Sequence, residues 1–284
     1  MTVLHADEAL LPTGMARDVR VTLAGGRIVA VETGVAAGAG AERCGVLLPA
    51  IGNLHSHAFQ RGMAGLAETR GPSDDTFWTW REAMYRFALA MTPDDVEAVA
   101  AQLYVEMLEA GFARVGEFHY LHHDRDGRPY ANIAEMGARL AAAAATAGIG
   151  LTLLPVFYAH SGFGGAAPAE GQRRFICDLD AYARLIEASR AAVAPLAGGR
   201  VGVAPHSLRA VTAQELAHVV ELCRDGPIHI HVAEQVREVE ECLAATGARP
   251  VRWLIDHAPV DARWCLIHAT HMTPDETVGV AASG

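Results

Sequence analysis

The chain is poor in aromatics, at 6% of its 284 residues, and has no cysteine pair spaced as C-x-x-C. Its five cysteines, Cys44, Cys177, Cys223, Cys242 and Cys265, are scattered and odd in number. That excludes a disulfide framework and predicts reduced, mostly buried thiols in a cytoplasmic protein. No basic run stands out and the formal net charge is −10, so nucleic acid is not an expected partner. An anionic ligand would need arginines gathered locally against that field. The N-terminus, MTVLHADEALLP, lacks a basic start followed by an apolar core, so no signal peptide is predicted. No apolar stretch is long and pure enough to span a bilayer, which removes the membrane as a partner. The alanine-rich ARLAAAAATAGIG (138–150) reads instead as a helix closed at Gly148.

What remains is an ordinary globular composition, 51% hydrophobic and 20% charged, long enough for one large domain or two smaller ones. Residues 1–47 read as short strands. VRVTLA and RIVAVE alternate and meet at Gly25-Gly26, a hairpin signature, and this segment is expected to form a small β-sandwich unit. From 48 to 284 strands alternate with helices. Apolar strands are predicted at 46–52, 113–118, 150–157, 200–204, 227–232 and 263–268. Helices are predicted at 77–90, 93–110, 132–147, 178–194, 213–224 and 234–245, with T-P-D-D (92–95) and T-P-D-E (273–276) as helix starts. Such alternation predicts a parallel sheet, open or closed. Polar residues fall at successive strand ends: His55 and His57, then Glu117, His119 and Tyr120, then His206, then His229, His231 and Glu234, then His268 and His271. A site spread over many strand ends favours a (β/α)8 barrel of the TIM type over an open sheet.

Side chains at i and i+2 of a strand share a face, so His55 and His57 can bind one ion, and His231 can add a third nitrogen. Zinc accepts imidazole and, in catalytic sites, keeps a position for water. The bland alternative, a chance pair of histidines, loses ground because other histidines end other strands. Glu234, three residues after His231, can shuttle a proton or stabilise the start of the 234–245 helix, or do both. His268 is open between a further ligand, a base or electrophile near the water, and a packed histidine. His229 is assigned to packing, His122 and His123 to a loop before DRDG, and His5, His160, His218, His257 and His271 to structure. Arg81 and Arg209 stand out as forks for carboxylates because each lies near a strand-end site in sequence.

Strand–H-x-H, then H-x-x-E on the fifth strand, then His on the sixth resembles the amidohydrolase superfamily, in its deaminase branch. NLHSHAFQRGMAGLAE (53–68), FWTWREAMYR (77–86), EFHYLHHD (117–124), HSGFGG (160–165), EGQRRFI (170–176), HSLRAVT (206–212), HIHVAEQ (229–235) and RWCLIHATH (263–271) together resemble the formimidoylglutamate deiminase family. The resemblance runs from about residue 46 onward, and more weakly before it. It implies hydrolysis of N-formimino-L-glutamate to N-formyl-L-glutamate and ammonia, in histidine degradation. It implies a divalent metal, usually Zn2+, on His55, His57 and His231, with an aspartate after strand eight. Glu234 and His268 would handle protons and orient water. Gln60, Arg81, Tyr120, His206 and Arg209 would line the pocket of a substrate with two carboxylates. A homodimer is implied as well. The three imidazoles would also accept iron, nickel or manganese.

Six strands are counted where such a barrel has eight, and no aspartate stands at the position the family's metal ligand would take. Asp256 and Asp261 precede the sixth strand and Asp275 opens a helix. The expectation is an incomplete, C-terminally truncated barrel, aggregation-prone and with weakened metal affinity. The competing readings are a nucleobase or guanidine deaminase on the same scaffold, and a non-catalytic metal-binding fragment.

Overall fold

The structure, a computed structural model, describes residues 1–67, 77–223 and 225–284. Glu68, at the end of the first motif, and Arg224, the expected end of a helix, lie outside the described residues. The chain divides into two compact units, Met1–Ile51 and Gly52–Gly284. No described helix is long and apolar enough to cross a membrane.

The first unit holds β1 (Thr2–Leu11), β2 (Gly14–Ala24), β3 (Arg27–Glu32) and β4 (Glu42–Leu47), ordered β3-β2-β1-β4. The expected hairpin is β2–β3, and it turns through Gly25 and Gly26 at φ of 55° and 73°. Positive φ at both central residues matches the twist of the strands and is open to glycine without a Cβ penalty. The expected sandwich is corrected: β1 takes β2 on one edge and β4 on the other, so all four strands lie in a single sheet. Ala6, Ala9, Val19 and Val21 form a small buried cluster in this unit.

The second unit alternates strand and helix. It contains β5 (Ile51–Ser56), α1 (Phe77–Ala90), α2 (Pro93–Glu109), β6 (Phe112–His119), α3 (Glu135–Ala147), β7 (Gly150–Phe157) and α4 (Leu179–Val193). Then come β8 (Arg200–Val201), β9 (Ala204–Pro205), α5 (Ala213–Glu221), β10 (Ile228–Val232), α6 (Val236–Thr246), α7 (Pro250–His257), β11 (Trp264–His268) and α8 (Pro274–Ala282). β5 borders β6, β6 pairs in parallel with β7, and β7 with both β8 and β9. Parallel bridges Val203–Ile228 and Ser207–His231 carry the arc on to β10, which pairs in parallel with β11. Six strand positions thus follow in chain order, an incomplete barrel in which β5 and β11 each have one strand neighbour among the described residues.

Three details differ from the sequence expectation. The strand expected at 46–52 is found at Ile51–Ser56, because Pro49, which has no N–H, falls in the gap that separates β4 from β5. The strand expected at 200–204 is split into β8 and β9 around Gly202. A Cβ there would lie 2.3 Å from the Pro227 carbonyl oxygen and 2.7 Å from Leu154, so only glycine allows this approach. α7 was not expected; it starts on Pro250 at its first turn.

α2 packs against β6, and α3 and α4 pack against β7. α2 begins with a reciprocal cap in which Thr92 and Asp95 each bond the other's main chain, and α8 repeats it with Thr273 and Glu276. Leu140 of α3 and Leu151, Leu153 and Leu154 of β7 are fully buried in one core. Burial of each such side chain contributes about 1.5–3 kcal/mol.

Candidate metal centre

His55 is on β5 and His57 follows its end, while His231 is on β10. Pleat parity turns the first pair to one side, and the parallel arc brings the third ring alongside. One ligand nitrogen from each of the three residues lies within 4.8 Å of the others. His55 Nε2 and His57 Nε2 are 3.0 Å apart. The outer nitrogens of two rings are tied down: His57 Nδ1 to the Phe118 carbonyl at 2.8 Å, and His231 Nδ1 to the His206 carbonyl at 3.2 Å. A carbonyl must receive N–H, so these contacts fix the tautomer and leave Nε2 with its lone pair facing inward.

The electrostatics agree. Burial lowers His55 to about 2 and His57 to about 4, with neighbouring imidazoles adding to the effect, and holds His231 well below the ordinary range. All three are neutral at neutral pH, as metal ligands must be. Neutral, oriented imidazoles with clustered nitrogens fit a divalent cation such as zinc.

One cavity, of about 210 Å³, brings together all ten residues singled out from the sequence: His55, His57, Gln60, Arg81, Tyr120, His206, Arg209, His231, Glu234 and His268. Gln60 donates to the Tyr120 hydroxyl at 2.8 Å. Arg81 Nε donates to Tyr85 at 2.7 Å. His268 Nε2 stands 3.7 Å from Glu234. Burial, followed by Arg209, keeps His206 well below its usual range. Among the described lining residues there is no aspartate.

Backbone strain concentrates here. Ala233, His268 and Ala269 are left-handed at φ of 51°, 66° and 46°. Each such residue costs on the order of 1–3 kcal/mol, and the surrounding structure must over-determine it. At Ala233 the buried Glu238 carboxylate does so, accepting the N–H groups of Ala233 at 3.2 Å and Glu234 at 3.0 Å. The strained turns thereby present Glu234 and His268.

The remaining histidines lie elsewhere. His229 is buried and does not line the cavity. His122 and His123 are on a loop, as expected, but are buried and bonded to the Val156 and Ile176 carbonyls. His160 pairs with Glu215. Sequence reasoning missed Trp80, Met84, Tyr85, Tyr158 and Phe175 in the cavity wall. Only FWTWREAMYR, already quoted around Arg81, carried a signal for the first three.

A profile described as the N-terminal domain of formimidoylglutamate deiminase HutF matches residues 1–45, and one described as the amidohydrolase family matches residues 46–283. The formimidoylglutamate deiminase of Pseudomonas aeruginosa is 52% identical over 100% of this chain and 63% of its own length. A crystal structure of an amidohydrolase from Brucella melitensis superposes with a TM-score of 0.98 at 64% identity, covering 100% of this chain and 63% of that one. An atrazine chlorohydrolase from Arthrobacter aurescens, complexed with zinc, shares the fold at a TM-score of 0.76 and 18% identity, over 100% of this chain and 64% of its own. The chain thus spans less than two thirds of the length of these relatives. A strand-end histidine trio on a parallel β/α arc and a family profile covering 238 positions agree: the chain belongs to the amidohydrolase family.

Proposed function

We propose that this chain carries the catalytic machinery for the hydrolytic deimination of N-formimino-L-glutamate, yielding N-formyl-L-glutamate and ammonia in histidine degradation. The observation that carries the reading is one cavity in which a neutral histidine trio faces two arginines, Arg81 and Arg209. The substrate has one amidine carbon and two carboxylates. Guanidinium groups recognise carboxylates through paired, charge-assisted hydrogen bonds. The 52% identity to a formimidoylglutamate deiminase supports the same substrate.

In this reading residues 48–284 form the hydrolase domain and 1–47 a separate β-unit. His55, His57 and His231 would hold the cation, with zinc the expected occupant. When bound, a divalent ion lowers the pKa of water at its open position to about 7 and so supplies the nucleophile. The chain's own residues do the rest. Arg81 and Arg209 orient the dicarboxylate, with Gln60, Tyr120 and His206 lining its path. Glu234 takes a proton from the water and delivers it to the departing nitrogen. His268, 3.7 Å away, steadies that carboxylate and the attacking water. Water adds at the formimino carbon, the C–N bond to the terminal nitrogen breaks, and ammonia leaves. A cytoplasmic location, supported by five unpaired cysteines, and a homodimer belong to the same proposal.

Ammonia release by the zinc-supplemented chain tests it. Turnover of formiminoglutamate, lost in Glu234→Gln by about 100-fold or more, is expected. Turnover confined to guanine, cytosine or guanidino acids would overturn the substrate assignment. Zinc binding without turnover of any of these would favour a non-catalytic metal protein.

A further inference from the structure

A buried carboxyl with no cation beside it is costly and calls for a compensating role. Glu117, on β6, is fully buried, lies outside the cavity wall and forms no ion pair among the described residues. Its Oε1 accepts the Ala58 N–H at 2.6 Å and its Oε2 accepts the Tyr104 hydroxyl, from α2, at 3.3 Å. Ala58 directly follows His57. The next residue on β6, Phe118, accepts the His57 Nδ1–H on its carbonyl at 2.8 Å. Two consecutive residues of one strand thus hold the ring of His57 and the main chain of the residue directly after it. If Glu117 only filled space, an apolar side chain would serve at lower cost.

We propose that Glu117 is a positioning residue, clamping the main chain after His57 so that its Nε2 converges with the His55 and His231 rings on a divalent cation. This rests on the metal-site reading above. The clamp acts on the metal through His57 and does not itself touch substrate.

The test is equilibrium titration of the full chain with Zn2+, together with the visible absorption of its Co2+ form, for wild type, Glu117→Gln, Glu117→Asp and Glu117→Leu. A glutamine oxygen can still accept the Ala58 N–H, so Glu117→Gln should stay within about threefold of wild-type affinity. Glu117→Leu removes the acceptor and Glu117→Asp withdraws it by one methylene, so both should weaken binding by about 10- to 100-fold and alter the Co2+ spectrum. A purely structural Glu117 would lower the stability of the metal-free chain and leave metal affinity and spectrum unmoved; that result overturns the proposal. Should Glu117→Leu fail to fold, equal affinities in the Gln and Asp variants would overturn it. Absence of zinc binding sensitive to His57→Ala in the wild-type chain would instead overturn the metal reading, and the clamp with it.

Discussion

Replacing Glu117 by glutamine separates the charge of this side chain from its shape, and the consequence depends on pH. Burial pushes its carboxyl up from the ordinary 4.5 to about 7, although hydrogen bonds from Ala58, Ser56 and Tyr104 favour the charged form. In the unfolded chain the group ionises near 4.5. Between those values the folded state holds a proton that the unfolded state has released. The stability contributed by this group is therefore full below pH 4.5 and lost as pH rises to about 7. The gap corresponds to roughly 3 kcal/mol, at about 1.4 kcal/mol per pH unit. The assay is urea denaturation of wild type and Glu117→Gln, with chelator present so that metal does not contribute. At about pH 4 the protonated acid and the amide are nearly equivalent and the midpoints should almost coincide; by about pH 8 the glutamine variant should be more stable by roughly 3 kcal/mol. The histidines titrate alike in both proteins and cancel in the difference. A constant offset across the range would show that Glu117 does not gain a proton on folding.

Acid should destabilise the metal-free chain through its histidines. Burial lowers His57 and His229 to about 4 and His55 to about 2 from 6.5, so below 6.5 the unfolded chain takes up protons that the folded chain refuses. Melting temperature should fall steadily with pH below that point, and a flat profile down to about pH 5 would oppose this account. Gly202→Ala places a Cβ 2.3 Å from the oxygen of Pro227, the residue before β10, at the break between β8 and β9. The expected loss is about 2 kcal/mol or more by chemical denaturation, with weaker zinc binding because β10 bears His231. Arg81→Met and Arg209→Met should each raise KM for formiminoglutamate by about 10- to 100-fold with a smaller change in kcat. Equal effects on a substrate lacking both carboxylates would argue against their assigned role.

Much of this arrangement was legible locally. T-P-D-D and T-P-D-E carry their own capping chemistry, and both head helices. Gly25-Gly26 specified a hairpin turn. The H-x-H pair, H-V-A-E and the histidine ending β11 marked strand ends because polar side chains there interrupt apolar runs. Other features depend on neighbours distant in sequence. The need for glycine at position 202 comes from the close passage of Pro227, which no local propensity reports. The single N-terminal sheet depends on β1 accepting β4 as its second neighbour. Tyr158 stands in no motif that marked the site, and only packing brings it into the cavity wall beside Tyr85. His122 and His123 follow loop grammar yet are buried, since their rings find carbonyls on other segments.

Local sequence set which residue types were available and on which side of each strand they could stand, because pleat parity and helix caps are properties of a few consecutive residues. It also carried the family pattern. Tertiary structure decided the rest: that His231 reaches His55 and His57 across 176 and 174 positions, that all ten candidate side chains share one cavity, and that the trio is neutral. Proximity across such separations comes from the order of parallel strands in the arc. Neutrality comes from burial, which penalises a charged imidazole only once the surrounding chain has displaced water. A lone carboxyl at Glu117 had no meaning in the sequence until the Ala58 N–H arrived against it.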